Sequence, residues 1–400
     1  MRIVLVIREF WPLKGGLTLH ALRLAQEMKK LGHEFEVVTP FISARPDMND
    51  MFWKSEPSQK IEIETIVTHV VGLSLLERLF LLPLKKLRWR DATKSIGKWM
   101  LRKVYVPKFQ NIFRNADVIH YDGGGMEFLS FAAQAAAKSL NIPFVVQPSI
   151  HLGQWGHLPI DHELFRLADS MLVHSNVEKN YLVDEVGINE QQVAVVYNGI
   201  DDLKPMNKTS FRERHAIEGP IVLFIGRKTT DKGYFLLQDA FRLVRSKIPD
   251  ACLVCVGPED KDAVSGDGVI QLGYLSEEEK SEALRVCDVF CVPSEGESFG
   301  LVFLEAGRAK KAVVCRDLEL FEDLLGENGQ AGIYVGTRLP NGEVEVDVAQ
   351  LAQQLAFCLR NREVCGSMGQ FGYQNAKRFL WPNISLRFEK SYQTVIAKNA

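Results

Sequence analysis

Five consecutive large apolar residues, Ile221-Val222-Leu223-Phe224-Ile225, run without polar alternation. A strand apolar on both faces is covered on both, which is the mark of an inner strand in a parallel sheet flanked by helices. Asp288–Val292 reads the same way, as does Ile3–Ile7 near the start of the chain. Between such strands lie helical patterns: Leu17, Ala21, Leu24, Ala25, Met28 and Leu31 form one apolar stripe, closed by Gly32, before a strand at Phe35–Thr39. Further strands are read at 116–120, 144–147, 169–174, 192–197, 252–256, 269–272 and 312–315. The alternation predicts an α/β chain, and 400 residues suffice for two such domains, each with its own core. The polar, charged stretch 202–219 has Pro205 and no apolar period, so the linker is placed there. The predicted division is 1–203 plus about 380–400 against 204–379.

Composition narrows the function classes. A net charge of −2 makes no global case for a nucleic-acid partner. All seven cysteines fall in the second half, mostly in apolar runs, and read as small buried residues of a reduced cytoplasmic protein. Cys252 and Cys255 form a C-x-x-C inside a strand, where a metal or redox role is not expected. Met1–Ile7 is too short for a secretory signal, and no apolar run is long enough to cross a bilayer.

Two strand–loop–helix segments carry candidate chemistry. After the strand at 288–292 comes SEGESFGLVFLEA, Ser294 to Ala306, in which Glu297 is loop-borne and Glu305 lies about one and a half turns into a helix starting near Phe299–Gly300. The first amides of that helix, beside a glycine that permits close approach, suit a diphosphate. Carboxylates next to phosphate are repelled, so both glutamates are expected to take hydroxyl groups. The strand at 221–225 runs into Gly226-Arg227, then Lys232-Gly233; Arg227 supplies a forked donor and Lys232 a point charge for phosphate oxygens. Hydroxyls flanking a diphosphate describe a nucleotide sugar.

Glu297-Ser298-Phe299-Gly300 with Glu305-Ala306, joined to Gly226-Arg227 and Lys232-Gly233, resembles the motifs of the GT4 family of retaining glycosyltransferases, and the resemblance spans nearly the whole chain. It implies the GT-B fold: two Rossmann-like αβα domains facing across a cleft, with a C-terminal helix, here after Trp381-Pro382, crossing back to the first. It also implies a retaining hexosyltransferase with no cofactor beyond a nucleoside-diphosphate sugar, UDP- or GDP-linked, and a saccharide or lipid-linked acceptor. Arg227 and Lys232 would stabilise the leaving diphosphate together with amides near Ser298, Phe299, Gly300 and Leu301. Glu297 would orient the sugar and Glu305 the ribose. Gly226 would let the diphosphate approach, and Gly273, Tyr274 and Leu275 would lie against the nucleobase. The Gly15-Gly16 turn, following Lys14, matches the family's turn that touches the donor or acceptor; His20, four positions on, is read as helix packing. Tyr197 replaces a usual proline in Tyr197-Asn198-Gly199-Ile200-Asp201, a departure expected to alter the loop. The chain shows no Asp-x-Asp in a metal-site context, in keeping with a metal-independent enzyme.

Gly123-Gly124-Gly125, after the strand at 116–120, lets the backbone lie near a sugar or makes a tight packing turn; Gly124 is the acceptor-side candidate. His151 follows the strand at 144–147, where ligands of open parallel sheets bind, and matches a family histidine near the acceptor and the transferred sugar. Residues 73–109 mix Leu, Phe and Trp with many Lys and Arg but only two acids, Glu77 and Asp91. That composition suits an anionic membrane surface at the inner face of the membrane, or equally a helical insertion packing its Leu face on the domain. Two other functions stay open at this level: an epimerase or phosphorylase of similar architecture, and a sugar-nucleotide-binding protein without transfer.

Overall fold

The computed structural model describes residues 1–13, 15–44, 47, 53–87, 91–150, 156–205, 210–258, 266–339 and 342–399. The chain divides into two compact units, Met1–Asn198 with Trp381–Ala400, and Gly199–Leu380. The first boundary thus precedes the polar stretch that its composition marks as linker. Asp202 belongs to the second unit because its carboxylate pairs there with Arg308 at 2.8 Å.

In the first unit the strands are β1 Arg2–Ile7, β2 Glu34–Thr39, β3 Gln59–Ile63, β4 Ile66–Val70, β5 Val118–Asp122, β6 Phe144–Gln147, β7 Ser170–Val173 and β8 Val193–Val195. Among the described residues they form one eight-stranded sheet in the order β3-β4-β2-β1-β5-β6-β7-β8. Every pairing is parallel except β3 with β4. That hairpin was not anticipated. Its turn residues Glu64 and Thr65 both take positive φ, 48° and 69°, without the Asn or Gly that normally announces such a turn. Helix Gly16–Lys30 buries Ala21, Leu24, Ala25 and Met28 of the expected stripe, with His20 beside them, while Leu17 and Leu31 at its ends are half-buried; Gly32 follows at φ 86°. The last helix, Trp381–Asn399, packs on this helix as the resemblance implies and buries Phe388 and Tyr392.

The basic-apolar segment separates into two kinds of helix. Lys94–Phe113 buries Met100, Leu101, Val104, Tyr105, Phe109 and Phe113 in the unit's core, which is the packing alternative. Leu75–Leu81 buries only its last residue, Leu81, in that core, while Leu75, Leu76 and Leu79 are 64%, 78% and 53% exposed.

The second unit holds β9 Ile221–Ile225, β10 Cys252–Val256, β11 Val269–Leu272, β12 Val289–Val292, β13 Val313–Arg316 and β14 Gly332–Val335. Among the described residues they make a parallel six-stranded sheet in the order β11-β10-β9-β12-β13-β14. All five residues of β9 are buried, as its unbroken apolar run requires. The seven cysteines are free thiols, and Cys255 is fully buried in β10.

Candidate active site

β9 and β12 are neighbours, so the loops leaving their carboxyl ends emerge side by side. Those are the two loops singled out by sequence, and backbone and side chains join them. The Glu295 amide donates to the Asp231 carbonyl at 2.9 Å. Lys232 Nζ donates to Glu297 Oε1 at 2.8 Å, and Ser294, itself fully buried, donates its hydroxyl to the same oxygen at 2.7 Å. Gly233 stands at φ 68°, and a Cβ there would lie 2.3 Å from the Pro293 carbonyl oxygen. Only glycine lets the lysine loop close against the strand end that launches the glutamate loop.

The cations are therefore placed differently from the simplest expectation, in which both are held for phosphate alone. Lys232 and Glu297 are mostly covered and paired with each other. Arg227 is well exposed and pairs with Asp231 at 2.7 Å, a surface contact that holds its guanidinium weakly. Both carboxylates need an electrostatic partner, and within the fold these cations supply it.

The helix after Glu297 spans Leu301–Arg308, with Gly300 at its N-cap and φ 82°. Phe299 is 2% exposed and its ring meets Phe379 at 5.9 Å, so its side chain anchors the loop in the core and leaves any ligand contact to the backbone. Ser298 and Leu301 flank this turn and are part-buried. Glu305 accepts from Lys280 Nζ at 3.0 Å through Oε1, while its Oε2 is buried without a partner. Burial pushes the Glu305 carboxyl up, against the opposing pull of Lys280.

Gly226 sits where the neighbouring strand ends meet: a Cβ on Gly257 would lie 2.0 Å from the Gly226 carbonyl oxygen. Lys228, fully buried, donates to the Leu272 carbonyl at 3.1 Å and ties this loop to the end of β11. There Gly273, Tyr274 and Leu275 follow, with Tyr274 84% exposed. Sequence reasoning missed Lys228, Ser294 and Lys280. Lys228 lies between Arg227 and Lys232 in a loop that reads as surface, and nothing local signals that it turns inward. Lys280 falls on the helix Glu277–Val286, whose Ser276–Glu279 capping box is legible in sequence, but its partner Glu305 is remote in the chain.

In the first unit, Gly15 caps helix Gly16–Lys30 in extended conformation and its carbonyl accepts from the Leu19 amide at 3.0 Å. A Cβ on Gly16 would meet nothing within 4 Å, so packing alone does not require glycine there. The triple-glycine turn behaves differently: side chains on Gly124 and Gly125 would press on Asp161 Oδ1 at 2.9 Å and the Ile160 carbonyl at 2.4 Å. Close packing accounts for both. His151 and Lys14 lie outside the described residues.

His20 does more than fill space. Its Nδ1 lies 2.7 Å from Asn198 Oδ1 and its Nε2 3.0 Å from the Gln147 amide nitrogen, which is also 3.0 Å from His174 Nε2. His174 Nδ1 lies 3.3 Å from the Tyr197 carbonyl. One assignment satisfies all four contacts: both imidazoles neutral with Nδ1–H donating to residues 198 and 197, and the Gln147 NH2 donating to both Nε2 atoms. Burial pushes His20 down to about 4 and His174 to about 3, in agreement with neutral rings. Tyr197 has φ 62°, which proline cannot adopt, and its ring lies under Arg387 at 4.9 Å. The substitution of the usual proline thus changes the backbone itself.

Known proteins resemble this chain along nearly its whole length. The family described as Glycosyltransferase Family 4 matches residues 14–202, and that described as Glycosyl transferases group 1 matches 206–375. The chain is 25% identical over 413 aligned residues to the phosphatidyl-myo-inositol mannosyltransferase of Mycobacterium tuberculosis, covering 100% of this chain and 98% of that one. It is 23% identical to the mannosylfructose-phosphate synthase of Agrobacterium fabrum, over 73% of this chain and 69% of the relative. Among solved structures, sucrose-phosphate synthase from Thermosynechococcus elongatus superposes with a TM-score of 0.71 at 17% identity, covering 100% of both chains. A glycosyltransferase from Rickettsia africae superposes at 0.73 and 16% identity, over 100% of this chain and 99% of that one. These neighbours share the GT-B fold.

Proposed function

Because the chain belongs to the family-4 and group-1 glycosyltransferases, we propose that it moves a hexosyl unit, with retention of configuration, from a nucleoside-diphosphate sugar to a hydroxyl of a saccharide or lipid-linked acceptor. The observation that carries the finer reading is the joint seat of Lys232, Ser294 and Glu297 at the loop entering helix Leu301–Arg308. An incoming diphosphate competes for the Lys232 ammonium, which moves from one oxyanion to another, while Glu297 turns its oxygen to sugar hydroxyls. Arg227, held only at the surface, joins the same diphosphate. The opening amides of the helix face anionic groups favourably. Glu305, with one oxygen already on Lys280 and one free, takes the two hydroxyls of ribose.

In the reaction the bond from the anomeric carbon to the diphosphate oxygen breaks and that to the acceptor oxygen forms on the same face. The acceptor proton passes to an oxygen of the leaving diphosphate. Cations placed where negative charge grows are worth several kcal/mol, and here side chains provide them. The reading therefore needs no metal ion and no cofactor besides the nucleotide sugar, which we take to be UDP- or GDP-linked. Gly273, Tyr274 and Leu275 receive the base.

We further assign the helix Leu75–Leu81 to an anionic membrane surface at the cytoplasmic face. Exposed Leu75, Leu76, Leu79 and Trp99 lie in a segment that also exposes Lys86 and Lys103, the apolar and cationic pair such a surface attracts. Among the described residues no helix is long and apolar enough to cross a membrane. The mycobacterial relative's name specifies a lipid acceptor, which supports a lipid-linked substrate here. Thermal melts with UDP-, GDP- and ADP-hexoses test the donor class: the cognate nucleotide raises the melting temperature. NMR of the product's anomeric proton then tests retention, and an inverted product refutes it.

A further inference from the structure

A groove in the first unit is lined by none of the residues assigned above to donor or acceptor. It lies between the last helix, Trp381–Asn399, and β8, the edge strand of the sheet, and its volume is about 600 Å³. The helix wall is one stripe: Arg387, Lys390, Ser391, Thr394 and Lys398 recur at three- and four-residue spacing, with Val395 buried among them. Ala194 and Val195 of β8, with Gln191 before them, face that stripe. The two walls run antiparallel. The Arg387 guanidinium lies over the Tyr197 ring at 4.9 Å, past the end of β8, while Lys398 Nζ donates to the Gln191 carbonyl at 3.3 Å, ahead of its start. At the helical rise the groove is roughly 16 Å long from Arg387 to Lys398.

The charges in this groove do not balance. Three cations line it, Arg387, Lys390 and Lys398, against the single carboxylate of Asp169, which leaves a net charge of +2. Asp169 is already engaged, since its Oδ2 accepts from the Phe144 amide at 2.8 Å. Among the described residues Arg387 meets an aromatic face, Lys398 a neutral carbonyl, and the exposed Lys390 ammonium has no partner. A forked guanidinium and an ammonium one helical turn apart are suited to share one phosphate, whose monoester form carries about −1.5 to −2 at neutral pH. The hydroxyls add a second requirement. Ser391 and Thr394 turn their protons back onto the Arg387 and Lys390 carbonyls, at 2.8 Å each, and so keep lone pairs to accept from a ligand. A molecule that carries both a phosphate and hydroxyl groups answers both sets of atoms, and a hexose phosphate fits a groove of this volume.

We propose that this groove is a binding site for a sugar phosphate. The phosphate lies on Arg387 and Lys390, and the sugar hydroxyls donate to Ser391 and Thr394 while Lys398 and the Gln191 amide close the far end. The site is separate from the transfer reading and stands without it.

The test is calorimetry and phosphorus NMR of the full chain with glucose 6-phosphate, with glucose and inorganic phosphate as the two halves of the probe. Glucose 6-phosphate should bind one to one with a Kd below about 1 mM, at least about tenfold more tightly than phosphate, and glucose should not bind. Lys390→Ala should weaken glucose 6-phosphate binding at least about tenfold, and Lys390→Arg should keep it. Both variants should melt within about 1 °C of the parent, because this side chain is exposed and unpaired. Affinity unchanged in Lys390→Ala overturns the proposal and sends the ligand to another site on the chain. Absence of binding to the parent overturns it too, as does glucose binding as tightly as its phosphate.

Discussion

Lys232 and Glu297 are each other's partner and also the two side chains assigned to donor diphosphate and donor sugar, so their contributions are coupled. Lys232→Ala should lower kcat/KM about 100- to 1,000-fold, and Glu297→Gln by a similar factor. The double variant should lose far less than the product of the two, because each single change strands the other's charge; additive losses would show that they act separately. Gly233→Ala meets a left-handed φ and the Pro293 carbonyl together. It should cost at least about 2 kcal/mol and lower the melting temperature by about 5 °C or more, read by calorimetry. A third residue sets a pH dependence. Burial pushes the Glu178 carboxyl up to about 8, although His174 N–H donates to its Oε2 at 2.6 Å. A folded pKa above the unfolded value near 4.5 means that the fold holds this proton more tightly. Its stabilising effect is complete below 4.5 and is lost as pH rises towards 8. Glu178→Gln, which keeps the acceptor, should therefore gain stability over the parent as pH rises through that window, by about 1 kcal/mol per unit, and match it near pH 4.5. Denaturant melts at several pH values check the trend; a pH-independent difference contradicts it.

At the level of elements, helix Leu75–Leu81 presents apolar side chains to solvent while its capping box, Ser74 with Glu77, is complete. Leu76→Asp with Leu79→Asp should leave the melting temperature within about 1 °C and abolish sedimentation with vesicles containing phosphatidylserine. Retention of vesicle binding would refute the membrane assignment. The two loop motifs were legible because their chemistry is contiguous: Gly226 to Gly233 and Ser294 to Ala306 each combine a strand end, a glycine and a charge within a few residues. The β3–β4 hairpin was not, since Glu64-Thr65 makes a turn by tertiary constraint where the local residues do not favour it. Lys228 and Lys280 escaped because burial of a lysine is decided by a carbonyl or carboxylate far away in sequence. The basic-apolar segment gave two equal readings because it holds two kinds of helix, one at 94–113 that packs in the core and one at 75–81 that leaves Leu75, Leu76 and Leu79 exposed.

For the whole molecule, the buried strands decide that each unit is an α/β sheet, parallel throughout in the second unit and parallel but for the β3–β4 edge pair in the first. Where the chain passes between units was less legible, because polarity marks 202–219 as linker while the contacts of Asp202 and Ile200 already belong to the second unit. The claim on which the account depends is that side-chain cations, led by Lys232, drive departure of a nucleoside diphosphate. The direct measurement is the rate of nucleoside-diphosphate release from the cognate nucleotide sugar, by the full chain and by Lys232→Ala, each with and without EDTA. The account predicts an EDTA-independent rate for the parent and a loss of at least about 100-fold in the variant. A variant within twofold of the parent, or a parent silenced by EDTA, would contradict it.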